Sequence, residues 1–402
     1  MRNEIAFRSA AWYGDNDVTY AFPSSWDISA PRMADADKLT KEQIRQSLEN
    51  PVGTPSLEEM AWEHHRAAIL CEDHTRPLVL HDVMLCVLDQ LNRGGISDDR
   101  IIIQIANGTH RPMTHEEQVK KFGVDVLRRV SVLAHNCYDN LRYIGDTQAG
   151  TPLHVDKNIG ESDLLIGMSG VYPHGMAGYS GGAKIVLPGI AGIDSIEYNH
   201  RSLSGHYLQL RPNGFRQDME EAARKVGLCY SVNSVVNSRR EICALCAGDF
   251  ILAHKAACEA AGKVYTTKMP AQADVLFINA YPMDSELFQA AKALEIANFY
   301  PRTKYLVLLA PCAEGFGYHA LCGPGGRMHC RELEGMRKKM KGRELIVVSP
   351  NVSRHDILKK FPSETVLVSD LSQAVRYLDE RLNGHIGKVV FYPYAPIQIP
   401  EQ

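Results

Sequence analysis

The chain has 402 residues, of which 45% are hydrophobic and 23% charged, and its net charge is −3 with histidine counted as neutral. A chain of this length can bury a large core over two or three domains, whereas its charge does not favour a nucleic-acid surface or an anionic membrane as partner. No apolar run reaches the roughly 18 residues of a membrane span. The N-terminal stretch MRNEIAFRSAAWYGDNDV lacks the apolar core of a signal peptide, so we expect a cytoplasmic protein.

Short apolar runs alternate with amphipathic stretches along the chain, which is typical of βαβ units. In the first half, strands are predicted at 66–71, 100–106 and 162–170, and a helix at 79–95. A second helix should begin after Thr114, because Thr114 and Glu117 have the spacing of a capping box.

The same rhythm restarts after a predicted linker at 262–272. A strand at 273–280 and a helix at 285–300 come first, followed by strands at 303–311, 344–350, 364–370 and 387–396. We therefore predict an α/β protein with two Rossmann-like domains, residues 1–265 and 270–384, and an active-site cleft between them. The terminal segment 385–402 should contain a strand that could return to the first domain.

Four polar loops directly follow predicted strands: EDHTRP, NGTHRP, GVYPHGMAGYSGGAK and AYPMD. Ligands of open α/β sheets bind beyond the carboxyl ends of the strands. We therefore expect these loops to form one ligand-binding rim.

The glycine-rich segment 174–190, HGMAGYSGGAKIVLPGI, carries a single charged side chain in its loop, Lys184. Glycines allow backbone amides to approach a bound anion closely, so Lys184 could pair with a phosphate or form a covalent bond. The spacing alone does not choose between these roles. The segment is not a nucleotide P-loop, since Ala183 replaces the last glycine and Ile185 the magnesium-binding hydroxyl, and no G-x-G-x-x-G fingerprint follows the first strand.

Three histidines are candidates for chemistry. His110 and His174 each follow a strand and could act as general acid or base, although a loop histidine can equally be an ordinary polar surface residue. His200 lies on a helix or at its end, and one histidine is a poor metal site without further ligands. The ten cysteines should be reduced and mostly buried, and the single pair Cys243 and Cys246 is interpreted as structural because zinc would need two more ligands.

Three polar or basic side chains are candidates for binding a carboxylate or phosphate group. Arg76 at the exit of the first strand could bind such a group with its two-point fork. Gln289 and Lys292 lie three residues apart on a predicted helix and therefore share a face. All three could instead be solvated surface residues.

Several motifs in a fixed order resemble the lactate racemase family, whose members use a nickel pincer nucleotide. They are LENPVGTPSLEEMA, DHTRP, NGTHRPMTHEE, AGYSGGAKIVLPGIA, Asn199–His200 and FQAAK at 288–292. The resemblance covers most of the chain and is densest from 40 to 200.

The resemblance implies roles for the candidate residues. It places a covalent thioamide bond to a pyridinium bisthiocarboxylic acid mononucleotide at Lys184, and it makes His200 the one protein ligand of a nickel ion otherwise held by that cofactor. The remaining implied cofactor contacts are Asp73, Thr75, Arg76 and Pro188. Enzymes of cofactor biosynthesis are implied partners.

The implied reaction is racemisation or epimerisation of a 2-hydroxy acid by hydride transfer to and from the cofactor. His110 or His174 would take the hydroxyl proton, and the other histidine would return a proton to the oxygen after the 2-oxo acid has reoriented. Arg76, Gln289 and Lys292 would bind the substrate.

Two departures from the lactate enzyme concern the substrate. Ala183 stands where that enzyme has a basic residue. The lactate enzyme also has a tryptophan in its second domain, whereas here all three tryptophans, Trp12, Trp26 and Trp62, lie outside the predicted second domain. A sugar acid or a dicarboxylic hydroxy acid is therefore a credible substrate, with Glu314, Tyr318, His319 and Arg327 of the loop 312–330 as further contacts. Two other hypotheses stay open at this point: a non-catalytic protein that binds a nucleotide or hydroxy acid, and an oxidoreductase with a free nicotinamide cofactor.

Overall fold

A computed structural model describes residues 3–384 and 386–401. The chain divides into two compact units. The first unit is Ala36–Val264, and the second unit combines Met1–Asp35 with Tyr265–Gln402. In the described part of the chain, no helix is both long enough and apolar enough to cross a bilayer.

Strands and short helices alternate through both units. The strands are β1 Asn3–Ser9, β2 Asn16–Phe22, β3 Asp27–Ser29, β4 Ala67–Cys71, β5 Ile101–Ile105, β6 Ser131–Ala134, β7 Leu141–Asp146, β8 Pro152–Asp156, β9 Leu164–Gly170, β10 Pro173–His174, β11 Gly178–Tyr179, β12 Leu228–Val236, β13 Ile242–Gly248, β14 Thr266–Thr267, β15 Val275–Asn279, β16 Tyr305–Leu309, β17 Glu344–Val348, β18 Val366–Val368, β19 Lys388–Tyr392 and β20 Ile399–Pro400. The α-helices are α1 Lys41–Glu49, α2 Leu57–Ala61, α3 His81–Arg93, α4 His115–Phe122, α5 Val124–Arg129, α6 Ile193–Ser202, α7 Gly214–Val226, α8 Leu252–Tyr265, α9 Leu287–Ala290, α10 His329–Met340, α11 Arg354–Leu358 and α12 Leu371–Arg381. Short 3-10 helices span Asp98–Arg100, Lys157–Glu161, Gly182–Ile185 and Ala291–Phe299.

The first unit is built on a six-stranded sheet in the order β6-β5-β4-β9-β12-β13. All neighbours are parallel except β12 and β13, which are antiparallel. Counted along the chain, this is the 3-2-1-4-5-6 order of the Rossmann fold. The order reverses between β4 and β9, so a ligand-binding crevice is expected at the carboxyl ends of these two strands.

The predicted elements of the first unit are confirmed. β4, β5 and β9 lie within the three predicted strands. β4 and β9 are buried along their whole length, and all their residues except Ser169 are apolar, as expected where helices cover a parallel sheet. The capping box is present, because the Thr114 hydroxyl accepts from the Glu117 amide and the Glu117 carboxylate accepts from the Thr114 amide. Helix α4 therefore begins where the sequence predicted.

The second unit contains a fully parallel six-stranded sheet in the order β18-β17-β16-β15-β19-β3. The ring of Phe22 packs against Phe277 and Phe391 at centroid distances of 5.2 and 6.1 Å. Trp26 packs against Phe277 at 6.2 Å. These contacts bring the N-terminal hairpin β1–β2 onto the hydrophobic core of this sheet.

The structure corrects the predicted domain division at both ends of the chain. The segment Met1–Asp35, predicted as part of domain 1–265, groups with the second unit, where β3 pairs with β19. A return of the terminal strand to the first domain is not found, because β19 pairs with β15 of the second unit. Both errors concern pairings between segments more than 100 residues apart, which local sequence patterns do not encode.

The helix predicted at 285–300 is also different in the structure. Only α9 is α-helical, and the 3-10 helix Ala291–Phe299 continues it. Most residues of this alanine-rich segment are buried. In its 3-10 part, side chains three residues apart are eclipsed.

Cys243 and Cys246 lie on β13, and none of the ten cysteines, all within the described residues, forms a disulfide. Burial raises the pKa of the Cys246 thiol, which favours the neutral form. This agrees with the structural interpretation of the pair.

Candidate active site

Three of the four polar loops lie at one edge of the first sheet. They leave the carboxyl ends of the adjacent strands β5, β4 and β9, and therefore surround the point where the strand order reverses. The loop after β4 carries Asp73, Thr75 and Arg76, the loop after β5 carries His110, and the segment after β9 carries His174 and Lys184. The fourth loop, AYPMD, follows β15 in the second unit.

Asp73 orients His110. The Asp73 Oδ2 atom lies 2.6 Å from Nδ1 of His110, and the hydroxyl of Thr75 donates to Asp73 Oδ1 at 2.5 Å. Burial acts to raise the pKa of the Asp73 carboxyl, but the opposing charge and hydrogen bond of His110 outweigh it and hold the pKa well below its usual range. An ionised Asp73 requires a proton on Nδ1 of His110, which leaves Nε2 as the acceptor nitrogen of the neutral ring.

His174 has the opposite hydrogen-bonding arrangement. It ends the short strand β10, and its Nδ1 accepts from the backbone amides of Met176 and Ala177 at 3.3 and 3.1 Å. Because Nδ1 is the acceptor, the proton of neutral His174 is on Nε2. His110 is therefore set to accept a proton at Nε2, and His174 is set to donate a hydrogen bond there.

Arg76 and a buried ion pair complete the loop after β4. Arg76 Nη1 donates to the Thr75 hydroxyl at 3.0 Å. The neighbouring Glu72 accepts from the Gly170 amide at 2.8 Å and lies 3.5 Å from Nζ of Lys121, whose side chain is fully buried. Burial raises the pKa of Glu72 and lowers that of Lys121. The Glu72 hydrogen bond ties the end of β9 to the loop of β4.

Lys184 lies on the 3-10 helix Gly182–Ile185 and keeps partial solvent exposure. The pKa of Lys184 is lowered to about 7. Desolvation is the largest cause, and the positive charges of Arg76 and Arg216 add to it. A large fraction of the amine is therefore neutral near physiological pH. A neutral amine is the nucleophilic form of lysine.

Arg216, which the sequence did not predict as a site residue, binds the backbone of the glycine-rich segment. This buried side chain on α7 donates to the carbonyls of Ala177, Tyr179 and Gly181. Asn233 accepts from the Gly182 amide at 3.0 Å. In the sequence Arg216 belongs to an amphipathic helix and Asn233 to a strand, and no local pattern distinguishes either residue.

His200 lies on α6, and its Nδ1 donates to the carbonyl of Ile196 at 2.8 Å. This hydrogen bond leaves Nε2 as the lone-pair nitrogen, which is the arrangement of a metal-ligating histidine. The adjacent Asn199 donates to Asp218 of α7 at 2.7 Å, and the buried Asp218 also accepts from Thr147 and Thr151. Asp218, another residue not predicted, anchors the helix that carries His200.

Pro188 and the loop of His110 are in close contact. The Gly108 amide donates to the carbonyl of Gly189 at 2.9 Å, and a Cβ on Gly108 would lie 3.2 Å from the Pro188 carbonyl oxygen. The segment after Lys184 thus packs directly on the loop that presents His110.

Gln289 and Lys292 belong to the second unit. Lys292 Nζ donates to Gln289 Oε1 at 2.5 Å, so the two side chains share a face, as predicted. Nearby, the His319 ring lies 4.4 Å from the Phe288 ring, and the Tyr13 hydroxyl donates to Glu314 at 2.9 Å.

Comparison with known proteins shows the family. A model of the lactate racemase N-terminal domain matches residues 13–209. Over 304 residues the chain is 34% identical to the lactate racemase of Lactiplantibacillus plantarum, with 71% of this chain and 70% of that protein covered. The chain belongs to the lactate racemase family.

A second relative supports this family assignment, and two solved structures share the fold. The lactate racemase of Thermoanaerobacterium thermosaccharolyticum is 31% identical over 283 residues, covering 68% of this chain and 66% of that protein. The structure of the lactate racemase apoprotein from that organism has a TM-score of 0.79 at 24% identity, with 99% of this chain and 100% of that chain covered. A crystal structure of a Thermotoga maritima protein has a TM-score of 0.64 at 16% identity, with 91% and 100% covered. These structures share the fold and confirm the predicted α/β class.

Membership of the lactate racemase family makes this protein an isomerase of the racemase class. The matched range 13–209 contains every candidate side chain from Asp73 to His200. Gln289 and Lys292 lie outside it.

Proposed function

We propose that this lactate racemase family member racemises or epimerises a 2-hydroxy acid by hydride transfer to and from a nickel pincer nucleotide. The observation that carries the proposal is the pair of histidines at one sheet edge, His110 and His174, whose Nε2 atoms have opposite hydrogen-bonding character. Isomerisation at a carbon that bears a hydroxyl needs a group that takes a proton and a group that gives one. We assign the proton transfers to His110, which Asp73 orients, and we assign to His174 a hydrogen bond from its Nε2–H to the substrate oxygen.

The residues present fit the proposed cofactor. Lys184 would hold it through its amine, whose pKa of about 7 makes a substantial fraction neutral near that pH. His200 would bind the nickel through Nε2, because Nδ1 is committed to the Ile196 carbonyl. When bound, the cofactor supplies a ring that accepts hydride from the substrate and gives it back.

Acid–base chemistry is assigned to the chain's own side chains. His110 takes the hydroxyl proton at Nε2 while the α-hydrogen leaves carbon as hydride, so a neutral 2-oxo acid carbonyl forms. Asp73 stabilises the resulting imidazolium, and the Nε2–H of His174 donates to the substrate oxygen. In the return step, the His110 imidazolium would give its Nε2 proton back to the substrate oxygen, which restores the neutral histidine and the hydroxyl group.

Substrate binding is assigned to Arg76, Gln289 and Lys292. A guanidinium can bind a carboxylate with two parallel hydrogen bonds, and Lys292 already donates to a side-chain amide oxygen in the second unit. We propose a sugar acid or a dicarboxylic hydroxy acid as substrate rather than lactate, because residues 265–402 of the second unit contain no tryptophan and offer polar groups such as Glu314 and His319. A panel of hydroxy acids of increasing polarity, followed by polarimetry, tests this choice; preference for lactate would contradict it.

The cofactor proposal is tested by producing the protein together with the enzymes of cofactor biosynthesis. Intact-protein mass spectrometry should show one nucleotide adduct that maps to Lys184, and metal analysis should show about one nickel per chain. Lys184→Ala should lose the adduct and the activity, whereas Lys157→Ala, a change at an exposed lysine of the same unit, should keep both. A protein with neither adduct nor nickel, under conditions that load a known relative, would overturn the proposal.

The two other hypotheses receive less support. The loop after β4, EDHTRP, has no glycine, whereas a dinucleotide-binding Rossmann fold needs glycines there for the pyrophosphate. A free nicotinamide cofactor is therefore disfavoured, and NADH formation measured by absorbance would reveal one. A purely binding protein would not need the reactive set His110, His174 and Lys184 with these hydrogen bonds and charges.

A further inference from the structure

Arg216 is a fully buried cation whose hydrogen bonds go to backbone oxygens. Its Nε donates to the Ala177 carbonyl at 3.2 Å and Nη1 to the Gly181 carbonyl at 3.0 Å, and Nη2 donates to the carbonyl of Tyr179. Taking a guanidinium out of water is costly, and burial lowers its pKa. A protein retains such a group where its several donors fix a geometry that apolar side chains cannot fix.

The glycines of the segment make this geometry possible. In an extended chain the carbonyls of residues 177, 179 and 181 would point the same way but would be spread too far for one guanidinium. Positive φ angles at Gly178 and Gly181, 74° and 82°, curl the segment so that the three oxygens converge. The glycine-rich sequence therefore serves to wrap the chain around Arg216.

Gly181 connects this cluster of carbonyls to Lys184. Its carbonyl oxygen accepts both from Arg216 Nη1 and from the backbone amide of Lys184, the latter at 3.3 Å. That second bond closes the first turn of the 3-10 helix on which Lys184 lies. The position of the Lys184 backbone is thus set by the atom that Arg216 holds.

The backbone of Arg216 is itself fixed at the start of α7. Asn213 caps the helix by accepting from the Arg216 amide at 3.0 Å, and the Asn213 side-chain amide donates to the Met176 carbonyl at 2.9 Å. Both ends of the arginine are therefore anchored to the segment that carries His174 and Lys184.

We propose that Arg216 is a positioning residue whose guanidinium fixes the glycine-rich segment in the conformation that presents the amine of Lys184 for covalent attachment. The attachment itself rests on the function proposed above, but the effect of Arg216 on Lys184 does not. Charged groups that act on Lys184 are Arg76, Arg216, Asp73 and Glu72, and of the two arginines only Arg216 donates to the Gly181 carbonyl.

The test uses the full-length protein without cofactor and an amine-acylating reagent. Peptide mass spectrometry measures how fast the Lys184 amine is acylated as a function of pH. In the wild type the rate should be half-maximal near pH 7. In Arg216→Gln and Arg216→Lys the midpoint should rise by about one pH unit or more, since the segment opens to water and the amine becomes better solvated.

Arg216→Lys separates the two ways in which Arg216 could act. If only the positive charge of residue 216 mattered, lysine would preserve the wild-type pH midpoint of Lys184 acylation. If the hydrogen bonds of the guanidinium matter, the midpoint should rise in Arg216→Lys as well. Hydrogen exchange in 177–186 should also become roughly tenfold faster or more in both variants. Arg224→Gln is the matched control, because Arg224 lies on the exposed side of the same helix, near the Phe250 ring; neither measurement should change.

A wild-type midpoint with unchanged exchange in both Arg216 variants would overturn the proposal. Should neither variant fold, Gly178→Ala replaces them: its Cβ would lie 2.4 Å from the Gln209 carbonyl oxygen and must displace the carbonyls around Arg216. It should raise the Lys184 midpoint in the same way, and an unchanged midpoint would count against the proposal. A reactive Lys184 that depends on Arg216 yet never gains a nucleotide would leave this inference standing and contradict the cofactor assignment.

Discussion

The two parallel sheets of this protein use the carboxyl ends of their strands for different purposes. At the reversal point of the first sheet, the buried Asp73 orients His110, and the buried Glu72 accepts from the Gly170 amide at the end of β9. The charges of Asp73 and Glu72 also act on Lys184. At the end of β15 in the second sheet, the buried Asp284 accepts from the amides of Ala10 and Ala11 at 2.7 and 3.0 Å. In the proposed assignment the same architecture serves catalysis in the first unit, whereas in the second unit it anchors the N-terminal segment.

This contrast teaches that topology selects the place and that side chains select the use. Both sheets reverse their strand order, at β4/β9 and at β15/β19, so both offer a crevice. Among the described residues, the loops of the first sheet bring His110, His174 and a lysine of lowered pKa to one edge. Changes at His110 and its partners in the first unit should therefore lower turnover, whereas changes at Lys292 in the second should alter substrate binding.

The largest expected effect comes from His110. His110→Gln removes the Nε2 base and should lower turnover by roughly 10²- to 10⁴-fold, the usual contribution of a general base. Racemisation rates of the loaded enzyme measure this, with the nucleotide adduct quantified to show equal loading. His65→Gln, a change at an exposed histidine of the same unit, is the control; equal losses in both variants would contradict the assignment.

Asp73→Asn should have a smaller effect, roughly 10- to 100-fold on turnover, because it removes the charge that orients His110 but leaves the imidazole in place. Thr75→Val should reduce turnover less, since it removes the hydroxyl's hydrogen bonds with Asp73 and Arg76 but keeps the contact of Asp73 with His110. Steady-state kinetics of the two variants would place them in this order. A fully active Asp73→Asn protein would show that the hydrogen bond to His110 has no part in the reaction.

Lys292→Met should act on substrate binding, with KM raised by roughly 10- to 100-fold and turnover changed little, as expected for loss of one charged hydrogen bond to a carboxylate. Lys341→Met, at an exposed lysine of the same unit, should leave KM unchanged. If Lys292→Met lowered turnover with KM unchanged, the second unit would have a part in the chemical step, and the contrast between the units would fail.

The smallest effect concerns stability. The pKa of Lys184 is lowered to about 7 in the fold from its ordinary value of about 10.4. Charging Lys184 therefore costs stability fully below pH 7, and this cost is relieved as pH rises toward the unfolded pKa. Between pH 7 and 8.5, the free energy of unfolding of the cofactor-free wild type should rise relative to Lys184→Met by at most about 1 kcal/mol per pH unit, the partial exposure of the side chain reducing it further. Urea denaturation at several pH values measures this difference, and parallel curves would contradict the lowered pKa.

Local patterns were sufficient to predict the strands and loops around the site. The apolar runs of β4, β5 and β9 and the Thr114 capping box depend on neighbouring residues only, so the sequence encodes them directly. The positions of His110, His174 and Lys184 at one edge followed from the rule for parallel sheets.

Other features could not be predicted because they depend on distant pairings. The contact of β3 with β19 joins segments about 360 residues apart, and no local pattern marks it. Arg216 and Asp218 lie in a helix whose sequence, GFRQDMEEAARKV, is amphipathic in the ordinary way. Their function becomes visible only when the glycine-rich segment and Asn199 are seen to pack against them.

The central claim is that the α-hydrogen of the substrate moves as hydride and does not exchange with solvent. Racemisation in D₂O tests this claim most directly. The substrate's α-hydrogen moves as hydride and returns to carbon, whereas a racemase that removes a proton from carbon would exchange it with solvent. We predict that the product formed by the loaded enzyme, analysed by NMR and mass spectrometry, contains no deuterium at the α-carbon. Deuterium at that carbon in proportion to turnover would contradict the mechanism proposed for His110, His174 and Lys184.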